Sequence, residues 1–480
     1  MNDRLDLLIR NALVIDGTGA PRVRTDIGVR ADRIVSLGNL GMAAANRVIE
    51  ATDLIAAPGF IDAHTHDDRL LLSDPTMSPK VSQGVTTVIT GNCGISLPCS
   101  PARSASIPPL DLLDSDGGWF RFSDFEGYRR AFDDAPAAVN AACLVGHTTL
   151  RAATMDRLDR PATKDEAAQM RILAEKALAA GAIGVSTGTA YAPAAAATTE
   201  EIIEVCQPMA ALGGVYVTHM RNEDDRILDA MEETFRIGRE VGVPVVISHH
   251  KCVGKANHGR STETLALIDR MSATQQVGLD LYPYIASSTV MQAVRAKQST
   301  KVLVTWSKAH PELSGKSLTE AARSLGLSEE AAVEALKPAG AIYFMMDEAD
   351  VQRILAYPTT MVGSDGLPHD AVPHPRLWGT FPRVLGHYAR DLGLFPLETA
   401  VHKMTGLTAA RFGLKDRGVL RAGAYADITL FDAKTVADAA DFEQPTRPAR
   451  GIHTVIVNGT PVWAAGTSTG ARTGRMLTRS

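Results

Sequence analysis

The chemical pattern that stands out first in this chain is a pair of histidines that follows a short apolar run. His64 and His66 are spaced two residues apart, shortly after Phe60-Ile61. On a β-strand this spacing turns both imidazoles to the same face, so a strand that ends here can offer two ligands to one metal ion. An isolated pair of this kind is more often a solvated strand end, so its meaning depends on the rest of the chain.

The middle of the chain alternates short apolar strands with helical patterns, which is typical of βα units around a parallel sheet. Eight strands are predicted, at residues 59–64, 86–91, 139–145, 182–187, 214–219, 244–249, 278–282 and 360–364. Eight such units close a TIM (β/α)8 barrel. Thr163 with Glu166, and Thr198 with Glu201, predict capping boxes at the starts of two intervening helices.

The two ends of the chain differ from this middle because they consist of short strands and turns without a helical period. The predicted fold class is therefore α/β, a TIM (β/α)8 barrel at residues 58–414 with a small β-sandwich domain built from residues 1–57 and 415–480. The connection between predicted strands seven and eight is far longer than an ordinary loop. Within it, residues 285–345 are predicted to be an inserted lid or substrate region.

Side chains that could bind a metal recur at the predicted carboxyl ends of the barrel strands, where barrel enzymes build their active sites. In chain order they are His64, His66, Cys93, His219, His249 and Asp365. Imidazole and thiolate ligands suit zinc, and three protein ligands with an open position are typical of a catalytic zinc site. Each residue alone has an ordinary structural explanation, but their joint position at one rim predicts a metal centre.

The net charge and the cysteine content of the chain limit the kinds of binding partner and compartment that are expected. The chain has 480 residues and a formal net charge of −5, so neither nucleic acid nor a membrane surface is an expected partner. Five scattered cysteines do not form a disulfide framework and fit a reducing compartment. Without a signal pattern or an apolar run of spanning length, a cytoplasmic location is expected. The expected partner is a small-molecule substrate, and the oligomeric state stays open.

With these residues in place, the sequence resembles the amidohydrolase superfamily and, within it, the D-aminoacylase (N-acyl-D-amino-acid deacylase) family, over essentially the whole chain. Predicted strands three and four offer no lysine to bridge two metals, and Cys93 takes that place. This departure separates the chain from cyclic-amide hydrolases. The resemblance implies that Cys93, His219 and His249 hold one tight zinc, while His64 and His66 line a second, weaker site.

The resemblance also implies the reaction, which is zinc-dependent hydrolysis of the amide bond of an N-acyl-D-amino acid. Zinc lowers the pKa of its bound water and polarises the amide carbonyl. Asp365 is the expected general base, which takes a proton from water and returns it to the leaving amine. Tyr282 and Arg376 are expected to hold the substrate α-carboxylate, with Lys251 as a helper.

Arg295 lies at the start of the long insertion, in a stretch that is expected to border the substrate side-chain pocket. A pocket for apolar side chains would leave this charge unpaired, whereas an acidic side chain would pair it. The expected substrate is therefore an N-acyl-D-glutamate. The open alternatives are a broad or hydrophobic-preferring D-aminoacylase with Arg295 in solvent, an N-acyl-D-aspartate deacylase, and a catalytically inactive barrel scaffold.

Overall fold

The computed structural model describes residues 4–101, 104 and 107–479. The strands in these ranges are β1 (Leu5–Val14), β2 (Val23–Arg30), β3 (Arg33–Gly38), β4 (Ala45–Glu50), β5 (Ile55–Pro58), β6 (Phe60–Asp62), β7 (Val85–Thr90), β8 (Asn140–Cys143), β9 (Val145–Gly146), β10 (Gly184–Gly188), β11 (Val215–His219), β12 (Val245–Ile247), β13 (Val277–Leu281), β14 (Ala286–Val290), β15 (Lys301–Ser307), β16 (Ala339–Phe344), β17 (Thr360–Val362), β18 (Ile428–Phe431), β19 (Ile452–Val457), β20 (Thr460–Ala464), β21 (Thr467–Ser468) and β22 (Met476–Leu477).

The α-helices are α1 (Leu70–Ser73), α2 (Ser78–Val81), α3 (Phe125–Asp134), α4 (His147–Thr154), α5 (Lys164–Ala179), α6 (Ala192–Ala195), α7 (Thr199–Cys206), α8 (Met209–Leu212), α9 (Ile227–Val241), α10 (Ser261–Ser272), α11 (Ala293–Gln298), α12 (Leu318–Leu325), α13 (Glu329–Leu336), α14 (Glu348–Ala356), α15 (Arg376–Arg383), α16 (Leu397–Met404) and α17 (Gly406–Phe412). Short 3-10 turns cover Leu110–Leu112, Lys255–Asn257 and Pro311–Leu313, and a π-helical segment, Val384–Asp391, continues α15. Within the described ranges, no helix combines the length and the apolar character needed to cross a membrane.

Parallel strands form the barrel in the order predicted from the sequence. They are β6, β7, β8 with β9, β10, β11, β12, β13 and β17. The third barrel strand is interrupted at Leu144, so β8 pairs with β7 while β9 pairs with β10. The amide of Ala63 donates to the carbonyl of Val362 at 3.1 Å and joins the first strand to the last. The predicted TIM barrel is confirmed.

Strands from both ends of the chain share one nine-stranded sheet, which contains β1–β5 and β18–β21. Antiparallel pairing of β18 with β5 joins the two ends, and Leu7, Ile27 and Ile428 belong to its buried apolar face. The predicted small β-domain from both termini is thereby confirmed as part of the fold class. The last strand, β22, pairs instead with barrel strand β8. The domain boundaries at 57/58 and 414/415 stay a prediction.

The insertion before the last barrel strand has a core of its own. Its strands β14, β16 and β15 form an antiparallel sheet, and helices α12 and α13 pack Leu318 and Leu336 into an apolar cluster with Val304 and Tyr343. Helix α11 follows β14 and carries Arg295 towards the barrel rim. The insertion thus carries a cavity-lining side chain on a packed unit, and its role as a lid stays a prediction.

The two predicted helix caps have different outcomes. Thr163 and Glu166 form a complete capping box at the start of α5. At the start of α7 the Thr198 side chain accepts the amide of Glu201 at 3.1 Å. The Glu201 carboxylate instead pairs with Arg151 and with His147, whose Nε2 lies 3.1 Å from Oε1. The second box is therefore only half formed, because buried partners claim the carboxylate.

Candidate metal centre and substrate cavity

Three side chains with metal-binding atoms meet where β7, β11 and β12 end. Cys93 lies three residues past β7, His219 is the last residue of β11, and His249 lies two residues past β12. Cys93 Sγ is 3.3 Å from His249 Nε2 and 3.8 Å from His219 Nδ1. A tetrahedral zinc with ordinary bond lengths places sulfur and nitrogen ligands about 3.6 Å apart. This cluster therefore fits one zinc ion.

A second group shares the same sulfur. The ligand atoms of His64, His66, Cys93 and Asp365 all lie within 4.8 Å of one another. His64 Nε2 is 3.3 Å from Cys93 Sγ, and Asp365 Oδ1 is 3.1 Å from His66 Nε2 and 3.4 Å from His64 Nε2. Cys93 is thus shared by two groups of side chains that could each hold a metal ion. The structure brings together all six of the ligand-type residues that the sequence placed on this rim.

The backbone is unusual at three of these positions. Cys93, His249 and Asp365 have φ angles of 53°, 35° and 49°, in the left-handed region that residues other than glycine seldom adopt. The turn that leads to Cys93 also depends on Gly91, because a Cβ there would lie 2.1 Å from the carbonyl oxygen of Leu144. Such conformations cost about 1–3 kcal/mol each and cluster at functional sites. They aim these side chains at the common centre.

Burial sets the protonation of the cluster. It is the main cause that lowers the pKa of His64 to about 3 and the pKa of His219 well below 6.5, so these imidazoles are neutral and keep a lone pair for a metal. Burial also raises the pKa of the Cys93 thiol. A metal cation reverses that effect, because a thiol that coordinates it is deprotonated outright. Neutral imidazoles and a thiol that a metal would deprotonate therefore form a ligand set suited to zinc.

Asp365 is ionised despite its burial. Burial alone would raise the pKa of this carboxyl, but Arg376, whose Nη1 lies 2.9 Å from Oδ2, holds it well below its usual value. Asp365 therefore remains a carboxylate at neutral pH, able to accept a proton or to bind a cation.

A cavity lies against the cluster, and Lys251, Tyr282 and Arg295 line it together with Asp365. Ser287, Ser288 and Thr289, which belong to the stretch expected to border the pocket, also line the cavity, whereas sequence reasoning missed Tyr191 and Leu367. Tyr191 could have been found, because it follows the carboxyl end of β10. The cavity combines metal-facing groups with the predicted substrate residues.

Arg376 lies behind the cavity wall and is fully buried. Besides its ion pair with Asp365, its guanidinium stacks 4.4 Å from the centroid of the Tyr282 ring, and Nη2 donates to the carbonyl of Ser288 at 3.0 Å. Glu223, which sequence reasoning also missed, is buried as well, and its Oε1 lies 2.6 Å from Lys251 Nζ. The two cations that were predicted to hold the substrate α-carboxylate, Lys251 and Arg376, thus both have carboxylate partners in the protein.

The comparisons with known proteins agree with this site. A model described as the amidohydrolase family matches residues 47–463. Three curated relatives come from Alcaligenes xylosoxydans xylosoxydans. D-aminoacylase is 61% identical over 99% of this chain and 98% of its own length, and N-acyl-D-aspartate deacylase is 54% identical over 98% and 95%. N-acyl-D-glutamate deacylase is 46% identical over 100% and 98%.

Two solved structures have nearly the same fold. A crystal structure of D-aminoacylase, 59% identical, has a TM-score of 0.96 and covers 99% of this chain and 100% of its own. N-acyl-D-glutamate deacylase from Bordetella bronchiseptica, solved with zinc and a phosphonate inhibitor that mimics the tetrahedral intermediate, is 45% identical with a TM-score of 0.95 over 99% of both chains. Since the family match spans most of the sequence and these relatives align along nearly all of it, the chain belongs to the amidohydrolase family and, within it, to the D-aminoacylase group that its sequence resembles.

Proposed function

We propose that this protein is a zinc-dependent N-acyl-D-amino-acid deacylase, which hydrolyses a linear amide to a carboxylate and a free D-amino acid. The observation that supports it most is the cluster of Cys93, His219 and His249 beside the ionised Asp365 at one wall of the cavity. The curated relatives named above act, by their names, on N-acylated D-amino acids. One relative was solved with zinc and a phosphonate inhibitor that mimics the tetrahedral intermediate, which supports zinc-dependent hydrolysis through such an intermediate.

The chain's own residues divide the reaction between them. Cys93, His219 and His249 would hold the tight zinc, which when bound supplies Lewis acidity and lowers the pKa of water. Asp365 takes a proton from water as the water oxygen attacks the acyl carbon. As the C–N bond breaks, Asp365 gives that proton to the leaving nitrogen. The ion pair with Arg376 keeps Asp365 deprotonated for the first of these steps.

Recognition of the substrate α-carboxylate is assigned to Tyr282, Arg376 and Lys251. The Tyr282 hydroxyl is buried and has no hydrogen-bond partner among the described residues, so it has a donor to spare for a ligand in the cavity. Arg376 lies directly behind that ring, and Lys251 lines the same cavity. An anionic ligand group beside Tyr282 would face Lys251 in the cavity, and the Arg376 charge would act from behind the ring.

The side-chain preference rests on Arg295, whose side chain is only 13% exposed and reaches the cavity. Its nearest acidic partner is Glu223, with 3.8 Å between Nη2 and Oε2. Glu223 is also the partner of Lys251 at 2.6 Å, so one carboxylate faces two cations. The positive charge that is left over favours an acidic substrate side chain, and we keep N-acyl-D-glutamate as the preferred substrate, with N-acyl-D-aspartate its closest competitor.

A second candidate is a D-aminoacylase with broad or hydrophobic preference. The Glu223–Arg295 ion pair favours it, because an arginine that is already compensated does not require an acidic substrate. The identity to D-aminoacylase, 61%, exceeds that to N-acyl-D-glutamate deacylase, 46%. One substitution separates the two candidates.

Arg295→Ala is expected to lower kcat/KM for N-acetyl-D-glutamate by about 10- to 100-fold, since a charge-assisted hydrogen bond contributes about 1.5–3 kcal/mol. The assay measures amine release by the zinc-loaded protein from N-acetyl-D-glutamate, N-acetyl-D-aspartate and N-acetyl-D-methionine, with N-acetyl-L-glutamate as the stereochemical control. Hydrolysis of N-acetyl-D-methionine should change less than threefold.

Lys297→Ala is the matched control, because it removes a cation from the same helix at a side chain that is 66% exposed. It should leave the substrate order unchanged. If N-acetyl-D-methionine is the best substrate and Arg295→Ala alters nothing, the broad-specificity candidate replaces the acidic one.

Two smaller points belong to the same proposal. His64 and His66, with Asp365, would hold a second, weaker metal ion beside the tight site. The five cysteines are all unpaired and buried, which supports a cytoplasmic location, since reducing compartments keep thiols free.

A further inference from the structure

Glu223 faces both histidines of the Cys93 cluster from the side away from the sulfur. It lies in the loop after β11, four residues past His219. Its Oε1 is 3.1 Å from His249 Nδ1, and its Oε2 is 3.6 Å from His219 Nε2. The other nitrogen of each ring faces Cys93 Sγ, Nε2 in His249 and Nδ1 in His219. One buried carboxylate therefore lies behind both rings.

Because Lys251 lies beside His249, the proton of the neutral imidazole can reside on either Nδ1 or Nε2. Lys251 Nζ lies 2.7 Å from His249 Nδ1, as well as 2.9 Å from the His249 carbonyl and 2.6 Å from Glu223 Oε1. If the ammonium donated to Nδ1, the proton of the neutral ring would have to reside on Nε2, which could then not bind a metal. If Nδ1–H donates to Glu223 instead, Nε2 keeps its lone pair towards Cys93. The two arrangements exclude each other.

We propose that Glu223 is a positioning residue that selects the metal-binding tautomer of both histidines: it accepts Nδ1–H from His249, its charge favours the His219 proton on Nε2, 3.6 Å from Oε2, and it draws the Lys251 ammonium away from His249. Carboxylate partners of this kind orient metal-binding histidines, and their loss typically lowers metal affinity by about 10- to 100-fold. The inference rests on the proposed zinc-dependent function, because it concerns the tight site of that function.

The same carboxylate links the metal cluster to the substrate cavity. Lys251 and Arg295, its two cationic partners, both line that cavity. An anionic ligand that draws either cation towards itself changes the field at Glu223 and hence at both histidines. Glu223 is therefore placed to hold the metal ligands and the substrate cations in one arrangement.

The chain offers a matched control in Glu201. This carboxylate is also buried, 5% exposed against 6% for Glu223, and it also joins a histidine to a cation, His147 and Arg151. Neither of these partners belongs to the groups that could hold a metal among the described residues. Glu201→Gln therefore removes the same kind of buried charge without touching the cluster.

The test compares Glu223→Gln and Glu201→Gln with the wild type by zinc affinity, measured in competition with a chromogenic chelator. Glu223→Gln should bind zinc about 10- to 100-fold more weakly, and Glu201→Gln should stay within threefold of wild type. In cobalt-substituted protein, the thiolate-to-metal absorption should shift in Glu223→Gln alone. Adding Lys251→Met to Glu223→Gln should recover part of the lost affinity, because the competing donor to His249 is then gone.

Thermal unfolding of each variant checks that it folds, and Glu223→Asp, which keeps the charge on a shorter side chain, should give an intermediate loss of affinity. The inference is overturned if folded Glu223→Gln binds zinc within threefold of wild type, or if Glu201→Gln loses as much. It is also overturned if Lys251→Met brings no recovery. A wild-type protein that binds no zinc would instead refute the proposed function itself.

Discussion

Replacing Asp365 with asparagine is expected to lower kcat/KM for N-acyl-D-amino acids by about 10²–10⁴-fold, the usual contribution of general acid–base catalysis. Asparagine keeps the shape of the side chain but cannot accept the proton from water or return it to the leaving amine. Zinc at Cys93, His219 and His249 should be retained, because Asp365 is not a member of that group. The measurement is steady-state hydrolysis together with bound zinc per chain.

Asp350→Asn is the control for loss of a buried aspartate that pairs with an arginine. Asp350 is 2% exposed and pairs at 2.8 Å with Arg353, a partly exposed arginine on the same helix, α14. Its substitution should leave kcat/KM within threefold of wild type. Retention of a tenth or more of the wild-type activity in Asp365→Asn would show that the proton is handled by another group.

Cys93→Ala is expected to abolish hydrolysis and to reduce zinc affinity by more than the ~100-fold that loss of a ligand's hydrogen-bond partner costs. Cys93 is the one side chain that belongs to both metal-binding groups among the described residues, so its removal weakens both positions at once. Metal analysis of the purified protein and an amine-release assay measure the two effects. Cys93→Ser, with a harder ligand atom, should keep more zinc than Cys93→Ala.

Cys206→Ala provides the control for loss of a buried thiol. Cys206 lies on α7, is fully buried and unpaired, and is in neither metal-binding group of the described residues. Zinc content and activity should both match the wild type. If Cys93→Ala kept full zinc content and full activity, the metal centre would have to lie elsewhere.

The barrel and its ligand set could be predicted because one physical rule connects them. Parallel strands of a barrel end at one rim, so the distance of a residue from its strand end along the sequence also places it in space. Cys93, His219 and His249 follow their strands by this rule. The interruption of the third strand at Leu144 could not be predicted, because it depends on pairing with β7 on one side and β10 on the other.

The ion pairs of the site could not be predicted from the sequence. Arg376 was predicted to be a substrate anchor and Asp365 a catalytic base, and no periodicity indicates that the two form a pair. Glu223 was missed because a single acidic residue in a loop has no pattern, and its role depends on four partners from three separate segments of the chain. Long-range pairing of buried charges is decided by tertiary packing, which spacing along the chain does not record.

The most direct test of this account is to titrate metal-free wild-type protein with zinc and to measure hydrolysis of N-acetyl-D-glutamate and N-acetyl-D-methionine at each step. We expect no hydrolysis without metal, activity that rises with the first equivalent of zinc per chain, and no cleavage of N-acetyl-L-glutamate at any point. Full activity in the metal-free protein, or a zinc-loaded protein inert towards both D-substrates, would contradict the proposed zinc-dependent deacylase.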